Sequence, residues 1–117
     1  MLFRPFEQQV LSILLGPSFG AELVRQVTED CELVSLEYSG AGYFLTVKHA
    51  DLPLERSVYN RPIVTGELND GSQATFLAFV EEGTLTLECA TLESTSLTDG
   101  FRDRDVRIST VADRRAE

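Results

Sequence analysis

The sequence predicts an α+β fold, with two N-terminal helices packed on a mostly antiparallel five- or six-stranded β-meander. Apolar residues keep helical spacing only within the first thirty positions, and from Cys31 onward their period shifts towards two. Glycine-containing turns then punctuate the chain at hairpin intervals.

Phe6, Val10, Ile13 and Leu14 fall on one face of the first helix, and Leu11 and Leu15 widen it. Pro5 suits a first helical turn, and Gly16-Pro17 is expected to stop the helix. Leu23, Val24 and Val27 keep helical spacing in a second helix, so the helices together occupy about residues 5–29. Strands are expected near residues 32–38, 43–49, 56–67, 73–81 and 84–92, with a short sixth at 105–109. Ser39-Gly40-Ala41-Gly42, Asn69-Asp70-Gly71 and Glu82-Gly83 supply hairpin tips, which predicts neighbours in sequential order. The run Ala74–Val80 is apolar on both faces, so its strand is expected to be central and covered by helices on at least one side. Pro62 cannot donate to a ladder and marks an edge or a bulge. One domain accounts for residues 1–117, with the sheet over about 31–109 and a polar tail at 110–117.

Nineteen acidic residues against ten basic ones give a net charge of −9, the wrong sign for neutralising nucleic-acid phosphates and for an anionic membrane surface. A basic protein is the partner this charge favours. The opening residues lack a basic start, an uninterrupted apolar run and a small-residue cleavage site, so a cytoplasmic location is expected. Cys31 and Cys89 read as buried free thiols, with a disulfide as the alternative.

No catalytic constellation stands out. Gly40-Ala41-Gly42 leads into a strand rather than a helix, so it reads as a hairpin tip and not as a phosphate loop. His49 is the only histidine and reads as a strand-end residue making an ordinary hydrogen bond. Three Cys and His residues in all are too few for a closed zinc site, and no metal or cofactor is expected. Arg102-Asp103-Arg104-Asp105 alternates in charge and is expected to be extended, held by cross-strand ion pairs in a structural role.

The most informative feature is the span from Gly66 to Gly100, which carries seven carboxylates and no Lys, Arg or His. Five of them, Glu81, Glu82, Glu88, Glu93 and Asp99, are the candidate partner-binding residues. In the fifth strand Thr84, Thr86 and Glu88 alternate with Leu85, Leu87 and Cys89, giving a polar strip suited either to solvent or to a protein partner.

Leu85-Thr86-Leu87-Glu88-Cys89, followed after a loop by Phe101-Arg102-Asp103-Arg104-Asp105-Val106, resembles the closing signature of a family of small bacterial proteins of largely unassigned function. The resemblance takes in Tyr43-Phe44-Leu45-Thr46-Val47 and Leu52-Pro53 and leaves out the helices. Such proteins resemble immunity-type proteins of toxin systems, which implies a protein-blocking role and supplies no site residues. Family members place aromatic or histidine residues after the cysteine, where this chain has Ala90-Thr91-Leu92.

The expected function is therefore a non-enzymatic acidic protein-binding module, immunity- or antitoxin-like, that blocks a basic partner. The alternatives are a structural homo-oligomer, such as a homodimer paired through an edge strand, and a small-ligand protein or enzyme using carboxylates and His49.

Overall fold

The computed structural model describes residues 2–69, 71–91 and 101–111. Helix α1 spans Pro5–Phe19 and α2 spans Ala21–Glu29. Strands follow at Glu32–Tyr38 (β1), Gly42–Lys48 (β2), Ser57–Glu67 (β3), Gln73–Glu81 (β4), Thr84–Thr91 (β5) and, after a 3-10 turn at Phe101–Asp103, Arg107–Val111 (β6). The six strands form one antiparallel sheet with the two helices N-terminal to it, as the α+β expectation has it.

Two local expectations are corrected. The first helix runs through Gly16-Pro17 to Phe19, because a proline near the end of a helix forfeits only its own backbone bond to the preceding turn. The break falls at Gly20, whose φ of 86° is open to glycine and whose N–H closes the last turn on the Gly16 carbonyl. The strand order is β1-β2-β5-β4-β3-β6, so β2 and β3 are not neighbours as a strictly sequential meander requires. The hairpins themselves form as expected; β2 finds its second partner in β5, whose core-facing Leu85 and Leu87 lie opposite Val47 and Leu45.

Pro62 lies where the pairing of β3 with β4 shifts register, between Tyr59 and Val64. Beyond that irregularity β6 pairs only with Ile63–Glu67, leaving the first half of β3 at the sheet margin. Strand β6 reaches two residues into the expected polar tail. The Glu82-Gly83 tip has positive φ at both positions, 52° and 79°, which is the two-residue turn whose twist suits a hairpin.

The core lies between the helices and one face of the sheet. Tyr43, Leu45, Val47, Leu85, Leu87, Ala78 and Val80 are fully buried there, against Val10, Leu11, Leu14 and Leu15 of α1. Phe6 packs on Phe76 and on Phe101, with ring centroids 6.0 Å apart in each pair. Helix α2 rests on α1 and closes the layer through Val24 and Val27. The resulting molecule is flat, 39 × 38 × 21 Å, with the helices on one side only.

Gly42 is required where β2 passes β5, because a Cβ there would come within 1.7 Å of the Cys89 carbonyl oxygen. Gly42→Ala is expected to cost at least ~2 kcal/mol by forcing the two central strands apart. Urea unfolding compared with Ala41→Gly, at an exposed tip position, checks it.

Candidate functional site

Residues that alternate with the core positions point to the opposite side of the sheet. Across β1, β2, β5 and β4 the pairing sets Glu37 opposite Phe44, Phe44 opposite Glu88, and Glu88 opposite Leu77. The next row is Ser35, Thr46, Thr86 and Phe79, followed by Val58 on β3. Phe44, Leu77 and Phe79 are half-buried, while Val58 and Ile63 are 52% and 51% exposed. The Thr46 and Thr86 hydroxyls hydrogen-bond each other at 2.9 Å, so this part of the face is polar yet internally satisfied.

Of the five candidate carboxylates, Glu81 and Glu88 lie on this face, which is uncovered among the described residues. They are two cross-strand rows apart, roughly 13 Å along the strand direction at the usual rise. Glu82 sits in the left-handed turn beyond Glu81, where its N–H donates to the Leu54 carbonyl. Glu93 and Asp99 lie outside the described residues.

The acidic span does not stay free of positive charge once folded. Arg56 approaches Glu81 at 3.9 Å and lies 5.9 Å over the Phe79 ring, and Arg107 pairs with Glu67 at 3.2 Å. Glu37 and Glu88 have no ion-pair partner among the described residues. Glu37 was outside the acidic span, and only the β1–β2 hairpin brings it beside Phe44.

His49 follows β2, and its Nδ1 accepts the Asp51 N–H at 3.0 Å, which leaves Nε2 to carry the proton of the neutral ring. It lines a concavity of about 700 Å³ with Asp30, Cys31, Glu32, Lys48 and Glu82. Burial pushes the Cys31 thiol up, the opposite of an activated nucleophile. Cys31 and Cys89 are free, and burial raises Cys89 as well. Among the described residues no group of three His, Cys, Asp or Glu could hold a metal ion, and no helix is long and apolar enough to cross a membrane.

A second polar cluster lies under the sheet on the helix side. Glu7, fully buried, accepts hydrogen bonds from the Arg4 N–H (2.8 Å), the Tyr43 hydroxyl (2.6 Å) and both Nε and Nη2 of Arg102 (2.6 and 2.7 Å). Arg102 also donates to the Leu2 carbonyl at 2.8 Å, and its guanidinium lies 5.8 Å over the Tyr43 ring. The expected extended run at Arg102 is instead a 3-10 turn, because only that turn drives Phe101 and Arg102 together into the core. Arg102 and Asp103 are ion-paired, but with Glu7 and Arg4 rather than across a local ladder as expected. The sequence carried one signal of this: Glu7 interrupts the apolar stripe of Phe3, Phe6, Val10 and Leu14.

Arg102→Leu leaves the Glu7 carboxylate buried without its counter-charge and is expected to cost about 3–5 kcal/mol. Adding Glu7→Leu is expected to recover part of that loss, and chemical unfolding of the singles and the double measures the coupling. Burial first, then the neighbouring Glu7 charge, holds the Tyr43 phenol well above its ordinary value of 10.0. The folded state then retains a proton that the unfolded state releases, so the stability is intact below pH 10 and falls as pH rises above it. Melting temperatures between neutral and alkaline pH are expected to decline more steeply for the native chain than for Tyr43→Phe.

Comparison with protein-family models, curated proteins and solved structures gives no match for this chain.

Proposed function

We propose that this protein is a non-enzymatic binding module whose uncovered sheet face receives a basic protein. The observation that carries this reading is that helices cover only one face of the sheet, while the other sets Glu37 and Glu88 among Phe44, Leu77 and Phe79. Aromatic and aliphatic side chains there provide area for a contact, and the two carboxylates without ion-pair partners steer a cationic surface towards it. At 39 × 38 Å the broad side of the molecule exceeds the ~800 Å² per partner that a specific interface needs. The immunity-like resemblance of the fifth strand and the Phe101–Val106 segment agrees with a blocking role, in which acidic side chains occupy the partner's own anion-binding surface.

A second reading attaches to the His49 concavity, where an imidazole and three carboxylates surround enough volume for a small ligand. Saturable shifts of the His49 ring resonances in a small-molecule screen would favour it over the sheet face.

The binding reading is tested by affinity capture from the native host with the native chain and with Glu81→Lys/Glu88→Lys in parallel. A basic protein held by the native chain, released as salt rises and weakened about tenfold or more by the double reversal, is the expected result. Equal capture by both chains at every salt concentration would remove the sheet face from the account.

A further inference from the structure

We infer that the uncovered face is shaped for a cationic amphipathic helix lying across β1, β2, β5 and β4, with basic side chains over Glu37 and Glu88 and apolar ones over Phe44 and Leu77. This inference rests on the reading of that face as a protein-binding surface and specifies its occupant.

The row Glu37, Phe44, Glu88, Leu77 alternates acid with apolar across four strands, each residue directly opposite the next in the pairing. Such neighbours stand about 5 Å apart. The rows beside it carry mostly short side chains, Gly42, Ala90 and Thr75 on one side and Ser35, Thr46 and Thr86 on the other, with Phe79 the one bulky group, next to Leu77 on β4. A rod-like partner can therefore lie along the row over β1, β2 and β5 and meet a larger flanking group, Phe79, only at its β4 end.

Spacing selects the kind of rod. Successive turns of a helix advance 5.4 Å, against roughly 4.8 Å between strands, so residues at i, i+4, i+7 and i+11 stay within about 2 Å of register over three steps. An extended segment crossing the strands repeats its same-side residues at roughly 6.7 Å and drifts by about 6 Å over the same distance. An extended segment running along the strands does not encounter the alternation, since the positions of β5 on this face read Thr84, Thr86, Glu88 and Ala90. Charge fixes the polarity of the pattern, because Glu37 and Glu88 lack ion-pair partners among the described residues, whereas Glu67 and Glu81 at the margins are matched by Arg107 and Arg56. The partner's sequence should accordingly read basic, apolar, basic, apolar at those helical positions.

The test uses two synthetic helix-forming peptides of about five turns and identical composition. One carries Lys, Leu, Lys and Leu at i, i+4, i+7 and i+11 on an alanine and glutamine background, and the other has those four residues rearranged around the helix. Fluorescence anisotropy at physiological salt is expected to show at least about tenfold tighter binding of the patterned peptide. Glu88→Lys and Leu77→Lys should each abolish that preference, while Glu29→Lys on α2, with the same charge change, should keep it. Melting curves verify that each variant is folded, and Leu77→Ala serves as the milder substitution. Equal binding of both peptides, reduced by Glu88→Lys alone, would overturn the helical register and leave the acidic binding face standing. Failure of both peptides to bind would overturn the inference; capture of a native basic protein that Glu81→Lys/Glu88→Lys weakens would then still sustain the broader reading. A dimer dissociated by Leu77→Lys would assign the face to a second copy of the chain and overturn the inference.

Discussion

Glu7 is a carboxylate shut off from water, and its two oxygens are divided among donors from three distant parts of the chain: Arg4, Tyr43 and Arg102. An ionised group in that position is tolerable only while each of those bonds is made. The start of α1 must therefore lie over β2, and the Phe101–Asp103 turn must come back to meet them both. That fixes which side of the sheet the helices occupy, and with it which side they leave uncovered. The aromatic rings of Phe6, Tyr43 and Phe101 complete the arrangement, in edge or tilted contacts that fill the space around the ion pair.

The same division of faces explains the electrostatics. A stretch without a basic residue looks uniformly acidic in sequence, but folding brings Arg56 and Arg107 from other segments to its margins. On the sheet face away from the helices, the carboxylates left without an ion-pair partner among the described residues are Glu88 at the centre and Glu37 at the β1 side, both next to Phe44. Net charge supplies long-range attraction for a basic partner, and this smaller group decides where the partner can dock. Strand β1 is itself an edge, with Leu33 and Val34 about half exposed. A register shift between Leu33 and Ser35 distorts it there, which blunts its use as a template for another strand.

Local chemistry made much of the fold legible. Period-two alternation and the Gly40, Gly71 and Glu82-Gly83 turns located the strands, and Pro62 announced the irregularity in β3. Pro17 misled, because helix termination depends on which residue can adopt the terminating conformation, and Gly20 does so. The β2–β5 pairing was beyond local reasoning, since nothing within β2 distinguishes β3 from β5 as its second neighbour. The polar strip of β5 was visible, including Glu88, but its companions Glu37, Phe44 and Leu77 belong to three other strands. They become one row only through register, which a single sequence does not display.

The claim on which the account turns is that the uncovered sheet face, and not the His49 concavity, is the binding surface. Amide and methyl resonances followed by NMR, as the uniformly labelled protein is titrated with a cationic amphipathic peptide, test it most directly. The account predicts that the largest perturbations cluster on Glu37, Phe44, Leu77, Phe79 and Glu88, with Val10, Leu14 and Val27 on the helix side unaffected. Perturbations concentrated at Cys31, Lys48, His49 and Glu82 would contradict it and move the site to the concavity.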